Sequence, residues 1–232
     1  MATVALIGAD GAGKTTVCRR LEGVPGLRVK YLYMGVNAEA SNHALPTTRF
    51  ILWLKRALGK STNEGGPPDP ARRKERPRAL HKRLLRNLKQ SLRMINQLGE
   101  EWFRQYLAWY YQKRGYLVIF DRHYHSDFYA HDIAGGSRLP LLRRFHGFVL
   151  DRFYPLPGLV ILLDAPAEVL FARKGEGTVE LVERRRQEYL QVRERVRKFT
   201  VIDAGRPLDE VVEDVTRAIR GFIEETAPLC RE

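Results

Sequence analysis

The sequence is short of acid, of cysteine and of long apolar runs. Its 232 residues hold 27 Asp and Glu against 40 Lys and Arg, a formal net charge of +13. A chain this basic selects anionic partners: nucleotides, nucleic acid or acidic surfaces. The two cysteines, Cys18 and Cys230, have neither disulfide nor metal-site spacing. A reducing cytoplasm is the expected compartment. The apolar runs, such as residues 159–163, fall far short of the ~20 residues that a membrane-crossing helix needs. Met1 stands directly before an apolar strand, so no signal peptide is expected. There is no internal repeat. The length fits one large domain, or one domain with an insert.

What the sequence does have is the run Gly8, Ala9, Asp10, Gly11, Ala12, Gly13, Lys14, Thr15, Thr16. It meets every position of G-x-x-x-x-G-K-[ST]. Residues 3–7 before it read as a buried strand, and residues 16–21 after it open a helix. That strand–loop–helix setting is what a phosphate loop requires. Its glycines let backbone N–H groups converge on a phosphate chain, and the helix adds its positive end. Lys14 then reaches the β- and γ-phosphates of ATP, and the Thr15 hydroxyl ligates Mg²⁺.

Further strands are expected at 28–34, 117–120, 158–163 and 199–203, each followed by a helical segment. This is the pattern of an open parallel sheet, whose ligands sit beyond the carboxyl ends of the strands. Asp121 and Arg122 follow the third strand directly. Asp121 can hold a Mg²⁺-bound water or the reacting hydroxyl, and Arg122 an anionic oxygen. Tyr124 is a candidate for the acceptor site. His123, His125 and Asp127 do not share a helix face, which argues against a transition-metal centre.

Residues 36–47 read as a loop beside the site, and residues 50–58 as a short apolar helix. Residues 59–77 are rich in Gly, Pro and charge, so a mobile insert is expected there. Between residues 55 and 93 stand thirteen basic residues against three acidic ones. This is either a solvated face or an anion-binding patch for nucleic acid, lipid or another polyanion. A long helix follows. Leu80, Leu84, Leu88, Leu92, Ile95, Leu98, Trp102, Tyr106 and Tyr110 recur at steps of three and four, which predicts one core-facing stripe. Gly99 is expected to interrupt or kink it.

Residues 167–173 and 179–198 read as two helices joined by a glycine hinge at 174–178. The second carries Arg184, Arg185, Arg186, Arg193, Arg195 and Arg197. Together they look like a lid, about residues 173–190, that excludes water and brings cations to the transferred group. Residues 208–226 read as an amphipathic closing helix.

At Gly8–Thr16, at Phe120-Asp121-Arg122 with Ser126, and at Leu163-Asp164-Ala165-Pro166 the chain resembles the thymidylate kinase family of P-loop nucleoside monophosphate kinases. The lid stretch and Val201-Ile202-Asp203-Ala204 match as well. The resemblance covers about 1–35 and 115–225. It implies a three-layer α/β P-loop NTPase fold with a five-stranded parallel sheet, helices on both faces and a helical lid. It implies ATP with Mg²⁺, the latter held by Thr15 and Asp121. Asp10 would face the acceptor's sugar, with Asp121 and Arg122 beside its phosphate. Arg173, Arg184 and Arg185 are the lid candidates, because the phosphate loop itself carries no arginine. The acceptor side departs from the family. Met34-Gly35-Val36-Asn37 replaces an Arg-Glu-Pro-Gly-Gly-like segment. Counting back from Gly115 to the family's acceptor-binding arginine reaches Glu100-Glu101, with Arg93 and Arg104 nearest.

The expected activity is transfer of the γ-phosphoryl group of ATP to a small anionic acceptor. A nucleoside monophosphate, thymidylate first, leads. The alternatives are a nucleoside, another small metabolite or a nucleic-acid 5′ end as acceptor, or an ATP-binding protein that holds nucleic acid through its basic region. The resemblance also leaves room for a homodimer.

Overall fold

The computed structural model describes residues 3–35, 41, 43–58, 80–128, 140–175 and 177–226. The expected insert at 59–77, half of the loop at 36–47, the glycine pair at 135–136, hinge residue Glu176 and Cys230 lie outside the described residues.

Five strands form one sheet: β1 (Thr3–Ile7), β2 (Val29–Tyr33), β3 (Leu117–Asp121), β4 (Leu159–Asp164) and β5 (Phe199–Asp203), in the order β2-β3-β1-β4-β5. Every pairing is parallel. The three central strands are near-continuous apolar runs because both of their faces are covered. Val4 and Leu6 of β1 enter one core, with Ile119, Ile161, Val215 and Ile219. Ala5 and Ile7 enter the other, with Val118, Phe120, Leu162 and Leu150. This alternation produces three layers. Helices α1 (Lys14–Leu21), α6 (Ala167–Lys174) and α8 (Leu208–Thr226) supply the first core, and α3 (Leu80–Lys113) and α5 (Leu141–Phe153) the second. Cys18 is fully buried on α1.

Four readings change. Helix α2 (Pro46–Ala57) starts inside the expected loop, with Pro46 in its first turn, where a missing N–H costs nothing. Helix α3 runs unbroken through Gly99. A Cβ there would stand 3.3 Å from Leu45 Cδ1, so this glycine serves close packing, not a kink. Of the expected apolar stripe of α3, Trp102 packs against the second core and the side chains of Leu80 and Leu84 lie outside the described residues, but most of the rest is not core. Leu88, Leu92, Ile95, Tyr106, Trp109 and Tyr110 are exposed, while Glu100, Glu101, Arg104, Gln105 and Ala108 are buried. Finally, α7 (Val179–Gln191) gives way to a 3-10 turn at Val192–Arg195. The chain must turn there, with Val192 fully buried, to enter β5. Arg193, Arg195 and Arg197 are therefore not on α7. A short helix α4 (Tyr124–Phe128) follows β3.

Register aligns the strand ends. Leu6 stands opposite both Asp121 and Ile161, so the loop after β1 opens beside the last residue of β3. This is the point where chain order reverses between neighbouring strands, the usual ligand position in such sheets.

Candidate functional site

The loop after β1 can take its path only with glycine at position 8. Its φ is 146°, and a Cβ would stand 2.4 Å from the Leu163 carbonyl oxygen. Backbone therefore packs directly on the end of β4. The loop closes through Ala12 N–H to the Ala9 carbonyl (3.3 Å), and Lys14 Nζ donates to the same carbonyl at 2.8 Å. No side chain caps α1 after Gly13, so its first N–H groups are available to an anion. Burial above all, with Arg122 nearby, lowers the Lys14 pKa to about 8.

Thr15 Oγ1 donates to Asp121 Oδ2 at 2.5 Å, and the Tyr31 hydroxyl donates to the same oxygen at 3.2 Å. Asp121 is fully buried, and its Oδ1 has no partner. A buried carboxylate oxygen left unsatisfied next to a threonine hydroxyl fits a hydrated divalent cation. Among the described residues no group of three His, Cys, Asp or Glu could hold a metal by itself. His123 is fully buried, and burial with the charge of His125 lowers it to about 3, which keeps its ring neutral. Asp127 accepts from the Tyr189 hydroxyl at 2.9 Å. These three residues form no centre.

Asp10 gathers the cations. It pairs with Arg122 through Oδ1, with Arg185 Nη1 at 2.7 Å through Oδ2, and with Lys174 Nζ at 3.6 Å. Burial would raise its pKa, but Arg122, Lys14, Lys174 and Arg185 outweigh burial and hold the carboxyl well below the usual range. Arg122 has a φ of 68°, a left-handed backbone that costs a residue with a Cβ ~1–2 kcal/mol. Its N–H donates to the Leu6 carbonyl at 3.0 Å. Its side chain passes over Gly35, where a Cβ would stand 2.6 Å from Arg122 Cδ. Strain held in place at the end of a strand, beside a phosphate loop, points to a positional role for this guanidinium.

The lid candidates divide. Arg185 reaches the cluster. Arg184 is half-exposed and lies 3.7 Å from Glu188 on its own helix. Arg173 donates to the carbonyls of Ala204 (2.7 Å) and Gly205 (3.4 Å), so it ties α6 to the turn after β5. Arg186, read in sequence only as one of a run, grips both Asp164 oxygens at 2.7 and 2.8 Å. That fork anchors α7 to the end of β4. Lys174 was part of the expected hinge, and nothing in its sequence setting marks it for Asp10.

A cavity of about 160 Å³ is lined by Thr48, Arg93, Asn96, Gln97, Glu100, Arg104 and Tyr124. Tyr124 is buried, with the Arg104 guanidinium 5.6 Å from its ring centre. Arg104 is 2% exposed and donates to the Gly35 carbonyl at 2.8 Å and to Glu100 Oε2 at 3.3 Å, while its Nε has no partner. Both arginines that flank the Glu100-Glu101 count thus reach the pocket. The volume is below the ~300–1,000 Å³ of a typical ligand pocket, room for one end of a small molecule and not for the whole.

No family model matches the chain. It is similar to a probable thymidylate kinase of Archaeoglobus fulgidus, 33% identical over 119 residues, which are 47% of this chain and 56% of that protein. A probable thymidylate kinase of Pyrobaculum calidifontis is 34% identical over 113 residues, 46% of this chain and 55% of that protein. A thymidylate kinase of Symbiobacterium thermophilum is 29% identical over 125 residues, 50% of this chain and 56% of that protein. The chain spans about half the length of the curated relatives it matches. The likeness is to thymidylate kinases over about half the chain, and the sheet is the all-parallel, helix-covered α/β sheet that the phosphate loop leads one to expect.

Proposed function

We propose that this chain is an ATP-dependent phosphotransferase that passes the γ-phosphoryl group to a nucleoside monophosphate, thymidylate before others, in the cytoplasm. The observation that carries the reading is the buried, half-satisfied Asp121 beside Thr15, set at the mouth of a complete phosphate loop. The likeness to thymidylate kinases supports a nucleotide acceptor over nucleic acid.

The loop amides and Lys14 would bind the β- and γ-phosphates. Thr15 and Asp121 would hold Mg²⁺, which when bound neutralises phosphate charge. The acceptor would enter the cavity at Tyr124 and Arg104 and present its phosphate to Arg122. An acceptor phosphate oxygen then attacks the γ-phosphorus in line. The bond to the β–γ bridging oxygen breaks, and ADP leaves with that electron pair. Positioning and charge neutralisation carry such a reaction. Arg185, which pairs with Asp10, would turn from that carboxylate to the transferred group. The closed lid excludes water that would otherwise accept the phosphoryl group.

A panel of nucleoside monophosphates, nucleosides and oligonucleotides, assayed for ATP consumption, tests the reading. The expected outcome is turnover with a nucleoside monophosphate. Turnover confined to nucleosides makes the runner-up correct. No turnover, with salt-dependent binding to arbitrary DNA or RNA, leaves an ATP-binding nucleic-acid protein.

A further inference from the structure

The phenol of Tyr31 ends beside the candidate Mg²⁺ site, on a strand that carries neither of the residues assigned to that ion. Strands β2 and β3 pair with Tyr31 opposite Ile119 and Tyr33 opposite Asp121. Residues two apart on a strand share a face. Tyr31 and Ile119 belong to the core that Val17, Cys18 and Leu21 of α1 enter, so Asp121 stands on the same side of the sheet. It lies two residues further along the strands, a rise of ~6.6 Å. A long side chain leaning along its strand covers that step, and a serine or threonine does not. The Tyr31 ring is buried in the first core, and its hydroxyl donates to Asp121 Oδ2 at 3.2 Å. Its backbone N–H donates to Glu22 Oε1 at 3.1 Å, just past the end of α1. The residue is therefore held at its backbone, its ring and its tip.

The choice of oxygen carries the inference. A buried phenol needs an acceptor, and a carboxylate offers about four lone-pair sites on its two oxygens. Tyr31 nevertheless shares Oδ2 with the Thr15 hydroxyl, while Oδ1, equally buried, has no partner. Two donors from different elements, α1 and β2, converge on one oxygen and keep the carboxylate from rotating about its Cβ–Cγ bond. The other oxygen is left open. Resting on the assignment of Thr15 and Asp121 to Mg²⁺ in the proposed function, we propose that Tyr31 is a positioning residue for that cation. Its hydroxyl holds Asp121 so that Oδ1 stays available to a Mg²⁺-bound water. Without it the carboxylate keeps only Thr15, whose own oxygen is assigned to the same ion, and is free to turn Oδ1 away. Partners behind a metal-holding group tune affinity in this way without touching the metal.

The test is Tyr31→Phe in the full chain, with ATP affinity measured by calorimetry in excess EDTA and again in excess Mg²⁺. The substitution removes one hydroxyl and leaves the ring in the core. Affinity in EDTA should therefore match the wild type's. The gain in affinity that Mg²⁺ brings should shrink at least ~tenfold, the low end for losing a partner behind a metal ligand. A residue that served packing alone would lower both affinities together, and that result overturns the proposal. An unchanged Mg²⁺ gain in the variant also overturns it, and leaves the kinase reading standing. A wild type that binds ATP but gains nothing from Mg²⁺ removes the assignment of Thr15 and Asp121, and the role of Tyr31 with it. A wild type that binds no ATP in either condition overturns the phosphate-loop reading and this proposal together.

Discussion

Replacing Asp10 with Asn should destabilise the protein, and a polyanion should restore it. The Asp10 carboxylate sits among Arg122, Arg185 and Lys174. Without its charge, three cations face one another next to the phosphate loop. Two charge-assisted hydrogen bonds are lost, each worth ~1.5–3 kcal/mol. Asp10 is about one-fifth exposed, so the low end of that range applies, a loss of ~3 kcal/mol in all. For a chain of this length that is ~6–12 °C in melting temperature. Tripolyphosphate at about ten millimolar supplies the missing charge, so it should raise the variant's melting temperature more than the wild type's. The gap between the two proteins should persist in acid. The folded-state pKa of Asp10 is depressed below its ordinary 3.8. Its stabilisation is therefore present above that ordinary value and is lost only as pH falls through the lower, folded one. At about pH 3 the wild type should still melt above the variant. Melts that agree within ~2 °C at neutral pH, or an equal response to the anion, refute the placement of Asp10 as internal counter-ion.

Two further predictions concern single cations of the site. Lys14, lowered to about 8 mainly by burial, should regain a proton when a triphosphate binds. Calorimetry at about pH 9 in buffers of different ionisation enthalpy should show that uptake, affinity should fall as pH rises through 8, and no uptake would refute the contact. Lys14→Ala should also cut turnover at least ~hundredfold with the fold intact, by analogy with losing one preorganised donor. Arg122→Lys should raise the acceptor's KM or lower kcat/KM far more than it changes ATP affinity, because an ammonium cannot copy the guanidinium fork. A nucleoside acceptor would instead show a fall in kcat with little change in KM, and unchanged kinetics would remove Arg122 from the site.

The phosphate loop and the five strands were legible because both depend on local pattern. Glycines at fixed offsets, and short apolar runs bounded by turn residues, leave few alternative readings. Asp121 and Arg122 followed from strand ends alone, since register in a parallel sheet carries them to the loop. The lid arginines were legible as a group but not one by one. Arg185 and Arg186 are adjacent in sequence, yet one meets Asp10 and the other Asp164, a choice made by how α7 is rolled. Arg173 went to backbone carbonyls because it leaves α6 on the side of β5. Arg104 was reachable only by counting, since its burial depends on the Gly35 carbonyl, 69 residues away in sequence.

Helix α3 shows why a stripe can be read correctly and placed wrongly. Periodicity reveals that a helix has two faces, but it does not say which one the sheet will take. The polar face turns inward here because most of its buried groups find partners, Arg104 at Gly35 and Glu100, Glu100 at Leu45 N–H, Glu101 at His146, while Arg104 Nε, Glu101 Oε2 and Gln105 Oε1 have none. Buried polar groups are tolerated when partnered. The same rotation leaves Leu88, Leu92 and Ile95 in water, and each forgoes ~1.5–3 kcal/mol of burial. The polar wall of the cavity and the apolar outer face are thus two sides of one choice of helix orientation. A substitution that made Arg104 and Glu100 apolar would remove the reason for that orientation. The cavity would close and the outer stripe would lose its exposure together.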